Sequence, residues 1–202
     1  MTVPMLAFDT SAAHCAAALL IGDRLILRHE AMAKGQAERL MALLEEILDE
    51  GDLVWRDLAA LAVGTGPGNF TGVRIAVAAA RGLALGLGIP AVGVTALEAR
   101  AYGLPRPLTV VEDARRGEVY VQHFGPDGPG PARIEVADAW IAGPSTGSAA
   151  GPAALAAAMP LVEAIARIGA DRARSPQPRP APFYLRGAEA AVPSDPPPVI
   201  LP

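Results

Sequence analysis

Gly64-Thr65-Gly66-Pro67-Gly68-Asn69-Phe70-Thr71-Gly72 is the stretch that organises this chain. An apolar run with strand character precedes it at 58–63, and a run of small apolar residues with helix character follows at 71–87. No Lys-Ser/Thr follows the last glycine, so the loop is not a P-loop. Asn69 stands where a dinucleotide fingerprint needs its last glycine or alanine. Sterics account for the loop without a ligand: Gly66, Gly68 and Gly72 let the chain turn sharply into a helix that lies close to a sheet. The free amides at that helix start leave anion binding open as a second role.

Working outward, 90–94 reads as a strand, and Thr95 is placed to cap a helix running to Tyr102. A helix between two strands is a crossover unit, so this part of the sheet is expected to be parallel. Upstream, 6–8 is a short apolar strand that stops at Asp9-Thr10-Ser11. Two further strands, 14–21 and 24–29, flank the turn Gly22-Asp23 and complete a meander. Gln36–Glu50 carries apolar residues at 37, 40, 41, 44, 47 and 48, which is helical spacing, and Gly51 is placed to end it. Leu43 widens its apolar face enough for a second contact surface.

Downstream, Pro105-Arg106-Pro107 breaks the chain. Then 108–112 reads as a strand ending at Asp113, Arg115-Arg116-Gly117 as a turn, and 118–124 as a returning strand. This repeats the layout of the opening: apolar strand, Asp, polar turn, strand. The expected fold class is therefore α/β, with an N-terminal lobe over 1–104 and a shortened second lobe of related plan over 105–170. Loops are expected at 125–131 and 143–151, and a helix at 152–168 that Pro160 interrupts. Nine of the twenty prolines lie after Asp171, which predicts an extended tail over 171–202.

Composition narrows the classes. Half of the 202 residues are hydrophobic (51%) but only 4% are aromatic, so Ala, Leu and Val must fill the core. One cysteine, Cys15, excludes an intrachain disulfide and a multi-cysteine zinc site. The start lacks a charged region followed by an apolar stretch, and Pro90 and glycines interrupt the apolar run 75–94. Both point to a cytoplasmic protein with no membrane partner. A net charge of −4 lacks the footprint of tight nucleic-acid binding, so service to RNA would run through a partner.

Candidate sites are few. Asp9, Thr10 and Ser11 at a strand end either cradle a phosphate, with Asp9 holding Mg²⁺ through water, or satisfy a tight turn. Gly72, Ala76, Ala79, Gly82, Ala84 and Gly86 line a helix with small side chains. Glycine inside a helix costs ~1 kcal/mol relative to alanine, so a close backbone neighbour is needed. That neighbour is either this chain's own sheet or a helix of another chain. His14, His29 and His123 form no i, i+4 pair. Arg172, Arg174, Arg179 and Arg186 give the tail a local positive bias that either meets RNA phosphates or is simply solvated; they are too dispersed for a strong binding stripe.

Gly66-Pro67-Gly68-Asn69-Phe70-Thr71-Gly72-Val73-Arg74 resembles the Gly-Pro-Gly-Ser-Phe-Thr-Gly-Leu/Val-Arg segment of the TsaB family. So do Leu6-Ala7-Phe8-Asp9-Thr10-Ser11, the helix–strand continuation with Gly82-Leu83-Ala84, Pro90 and Gly93-Val94, the segment Asp113-Ala114-Arg115-Arg116-Gly117-Glu118-Val119-Tyr120, and Pro182-Phe183-Tyr184-Leu185-Arg186. Asn69 departs from the family's Ser, and Gln36 stands where many members have His. The resemblance implies an actin-like ATPase (ASKHA) fold. It implies a non-catalytic subunit that pairs with TsaD and works with TsaE in threonylcarbamoyl transfer to tRNA, touching tRNA only through the complex. Where the catalytic paralogue has His-x-x-x-His, this chain has Ala96 and Arg100. In the family the first two helices pack on TsaD, which assigns a partner interface to Leu40, Leu43, Leu44, Ile47, Gly72, Arg74, Ala76, Ala79, Gly82 and Gly86. Self-association of the isolated chain through the same helices stays open. No tightly bound cofactor is implied; ATP or ADP at the partner interface, with a vestigial or shared contact from Asp9, Thr10 and Ser11, is the one nucleotide role left. The alternatives are a stand-alone actin-like ATPase or sugar-kinase relative, with Asp9 and Asp113 holding Mg-ATP, and a metallopeptidase, which the missing His pair disfavours.

Overall fold

The computed structural model describes residues 4–138 and 143–186. The last part of the expected tail, 187–202, lies outside the described residues. The chain opens with β1 (Met5–Asp9), β2 (His14–Ile21) and β3 (Arg24–Ala31), an antiparallel meander turned at Gly22, whose φ is 64°. After α1 (Gln36–Glu50), β4 (Ala60–Gly64) pairs parallel to β1. The glycine loop leads into α2 (Phe70–Leu87), and β5 (Ala91–Val94) pairs parallel to β4. The sheet order β3-β2-β1-β4-β5 is the expected actin-like lobe.

Strand alternation divides this sheet into two packed faces. Leu6 and Phe8 face α1 and α2, while Met5 and Ala7 face the opposite side. Leu40, Leu43, Leu44, Ile47 and Leu48 of α1 are all buried against the first face. Burying five such side chains contributes on the order of 10 kcal/mol before ordering entropy is set against it. Arg39 ties the helix further, donating to Glu30 on β3 and to Glu46 two turns along the same helix face.

The second lobe contains β6 (Leu108–Arg115) and β7 (Glu118–Gly125), with β8 (Gly128–Pro129) and β9 (Arg133–Val136) both paired to β7, and β10 (Ser145–Thr146) parallel to β6. The order β10-β6-β7-β9 repeats β4-β1-β2-β3, strand for strand and with the same directions. Neither β9 nor β10 is legible in the Pro- and Gly-rich sequence. The short helix α3 (Ala96–Ala101) links the lobes, its Thr95 hydroxyl accepting from Glu98 N as expected.

One expectation gives way here. The chain from 152 to 160 is not helical, and the helix that follows, α4 (Leu161–Arg172), does not belong to the second lobe. It crosses back and covers the second face of the first sheet, with Ile165, Ala166 and Ile168 against Met5, Ala7, Ala18 and Ala62. The sheet face of alanines lets α4 approach closely. At Gly169 an added Cβ would overlap Ala62 Cβ. This close layer explains how a chain with so few aromatics closes its core.

α2 has the length and mean hydropathy (1.4) of a membrane span, yet Val73, Ala76, Val77 and Ala80 are buried within the lobe, Ala76 and Ala80 against the sheet. Cys15 lies fully buried in the same core, and burial, with the Glu30 charge second, pushes its thiol up to about 11. A raised thiol pKa favours the neutral form in the folded state. Its stabilisation is therefore complete below the ordinary value of 9.0 and is lost as pH climbs toward about 11. A thiol reagent at neutral pH is expected to leave Cys15 unlabelled in the native protein and to label it fully after denaturation. Rapid native labelling would contradict this placement.

Candidate functional site

The glycine loop is built for closure. Asn69 caps α2, its Oδ1 accepting from Gly72 N at 2.8 Å, so the departure from Ser keeps the capping function. Asn69 N donates to Ser11 O at 2.6 Å, and the Thr10 hydroxyl donates to Gly72 O at 2.6 Å. A Cβ on Gly68 would overlap Ser11 O, and one on Gly72 would overlap Thr10 O. The loop therefore lies on the end of β1 with no space between them.

Of the two readings left open at Asp9, Thr10 and Ser11, the structure displays the tight turn: the three residues are 1%, 0% and 4% exposed. Asp9 Oδ2 accepts from Ser11 N (3.2 Å) and Ser11 Oγ (2.9 Å), and lies 2.6 Å from His14 Nε2. Asp9 Oδ1 has no hydrogen-bond partner among the described residues and abuts Gly64, where an added Cβ would overlap it. These groups serve the turn. The His14 contact was not legible in the sequence, because it crosses a turn rather than a helical repeat. The His29 ring lies against the His14 ring in a tilted arrangement, with centroids 5.0 Å apart.

Between the lobes lies a cleft of about 820 Å³. Its first-lobe side carries Ser11, His14 and Asn69, and its second-lobe side Glu112, Asp113, Arg115 and Arg116. Asp113 is exposed there, and its Oδ1 accepts from Arg115 N at 2.7 Å. The tail segment spans the cleft. Phe183 N donates to Thr65 O on the first lobe, and Arg186 pairs with Glu118 on the second. Arg172 likewise pairs with Glu98, so two of the four tail arginines act as ties. Sequence reasoning missed the cluster at the cleft rim: Arg74 lies 3.7 Å from the Phe70 ring centroid and donates to Tyr184 Oη at 2.9 Å.

The residues expected at a partner interface fall into two sets. Leu40, Leu43, Leu44 and Ile47 are 0–1% exposed and occupy the lobe's own core, so they present nothing to another chain. Gly72 and Ala76 are also buried, the first against Thr10. The helical period placed these residues correctly on one face, but that face is the inward one. Arg74, Gly82 and Gly86 are exposed and Ala79 is half-buried. An added Cβ at Gly82 or Gly86 meets nothing within 4 Å among the described residues. Ala78 and Leu85 join that outward face, and Leu85 is 84% exposed.

The family model described as TsaD, tRNA N6-adenosine threonylcarbamoyltransferase, matches residues 29–135. The tRNA threonylcarbamoyladenosine biosynthesis protein TsaB of Escherichia coli K12 is 36% identical over 128 residues, covering 61% of this chain and 55% of that protein. The protein of the same description from Bacillus subtilis is 38% identical over 123 residues, covering 57% and 52%. The chain thus spans about half the length of the curated relatives it matches. Among solved structures, a Pseudomonas aeruginosa protein described as similar to peptidase YEAZ superposes with a TM-score of 0.73 at 27% identity, over 91% of this chain and 100% of that one.

Proposed function

This chain belongs to the TsaB branch of the TsaD-type threonylcarbamoyltransferase family, and from that premise we propose that it is a non-catalytic subunit. It docks on a TsaD-type paralogue through the outer face of α2 and supports threonylcarbamoyl transfer to tRNA. The observation that carries the reading is that bare face. Ala78, Gly82 and Gly86 recur every fourth residue, and rows of this spacing are the grooves into which a neighbouring helix packs. Gly82 in the helix interior costs ~1 kcal/mol against alanine, and nothing within the described chain uses the space that it and Gly86 leave. Leu85 adds an apolar anchor beside them.

The non-catalytic role is supported by Ala96 and Arg100, which stand where the catalytic paralogue carries its histidine pair. Arg100 is instead bonded to Glu112 at 3.0 Å. The stand-alone ATPase reading has less support, because the turn at Asp9 is closed by the glycine loop. Reconstitution with TsaD, TsaE and a supply of threonylcarbamoyl-adenylate tests the proposal. Omitting this chain is expected to remove modified adenosine from digested tRNA, measured by mass spectrometry. Undiminished modification without it would overturn the reading.

A further inference from the structure

The β6–β7 turn breaks a local rule. Arg115 and Arg116 have φ of 62° and 56°, and Gly117 follows at 73°. Left-handed backbone favours glycine and then asparagine, and another side chain there costs on the order of 1–3 kcal/mol. Two-residue hairpin turns of this hand favour Asn-Gly. Here Arg116-Gly117 fills the turn, and Arg115 stands at the register shift that follows Asp113. Strain of this kind collects at functional sites.

Both arginines line the interlobe cleft. With Arg100 and Arg186 they set four guanidinium groups against the carboxylates of Glu112 and Asp113, in a chain whose net charge is −4. Arg100 and Arg186 are held by Glu112 and Glu118, whereas the Arg115 guanidinium has no partner among the described residues. The cleft also gathers aromatic rings in an aromatic-poor chain. Tyr184 is 42% exposed at the rim, its hydroxyl fixed by Arg74. Guanidinium groups beside an accessible ring match a phosphodiester chain with an unstacked base. A free nucleoside polyphosphate fits less well, since the turn at Asp9 is closed.

We infer that this cleft binds single-stranded RNA, with phosphates on Arg115 and Arg116 and a base against Tyr184. The inference rests on the tRNA-modification reading above and adds to it a direct contact by this chain. The test is fluorescence anisotropy with the full chain and a labelled anticodon stem-loop RNA. The double variant Arg115→Asn, Arg116→Asn keeps side chains that accept left-handed backbone, so its melting temperature should be unchanged or higher. Its affinity should fall about tenfold, and the slope of log affinity against log salt should shrink by about 0.7 for every phosphate the variant no longer neutralises. Four results would each overturn the inference: no binding by the wild type, equal binding by the double variant, equal binding to a blunt RNA duplex, or displacement of the RNA by micromolar ATP. A lower melting temperature in the double variant would also overturn it, by showing the arginines to be structural. If the variant binds like the wild type while omission of the chain still abolishes modification, the RNA contact fails and the proposed function stands.

Discussion

Gly72→Ala is expected to destabilise the fold by about 3 kcal/mol, at the upper end of the range for forced overpacking, although it exchanges a poor helix former for the best one. Gly72 lies in the first turn of α2 with ordinary helical backbone, so propensity alone would favour alanine by ~1 kcal/mol. The surroundings reverse the sign. An added Cβ would overlap Thr10 O, a backbone atom that cannot rotate away. Relief requires either shifting the start of α2 or lifting the end of β1. Both moves break bonds: the Thr10 hydroxyl to Gly72 O, Gly72 N to Asn69 Oδ1, and Asn69 N to Ser11 O. Gly82→Ala supplies the internal control. It is the same exchange in the same helix with nothing within 4 Å of the new methyl, and it is expected to stabilise by about 1 kcal/mol. Urea unfolding of both variants decides the matter. A Gly72→Ala midpoint equal to that of the wild type would mean the loop does not seal the strand end.

That contrast also marks how much the sequence could say. The glycine loop, the two helices α1 and α2 and the β1–β2–β3 meander were legible, because periodicity and turn residues are local signals. The repeat of the lobe plan was legible as a layout at Asp113, although its third and fourth strands were hidden in a segment rich in glycine and proline. The destination of α4 was not legible. Its amphipathic pattern says that one face is buried, but not which sheet buries it. The same limit governed the interface residues. Period 3.6 put Leu40, Leu44 and Ile47 on one stripe, and only the fold shows that the stripe faces inward. At Asp9 the sequence left a phosphate cradle and a tight turn both open. The hydrogen bonds from Ser11, with His14 against the same oxygen, are those of the turn.

Gly82→Trp is expected to weaken docking on the TsaD-type paralogue strongly while sparing the fold of the isolated chain. The position is exposed and the space outside it is open, so an indole there can lie in solvent at little cost to the isolated chain. In a helix–helix seam the same indole would hold the two backbones apart along the Ala78–Gly82–Gly86 row. Opening that seam should weaken binding to the TsaD-type paralogue about 100-fold, equivalent to ~2.8 kcal/mol. Titration calorimetry with the purified paralogue reads this change directly, and threonylcarbamoyl-adenosine formation on tRNA should fall with it. Unfolding midpoints of the variant and the wild type should agree, which separates a docking defect from a folding defect. Asp127→Trp, an exposed change on the second lobe, should affect neither measurement. If Gly82→Trp binds the paralogue as tightly as the wild type does, the outer face of α2 is not the docking surface. Gly82 would then be a stability cost of ~1 kcal/mol with no structural return.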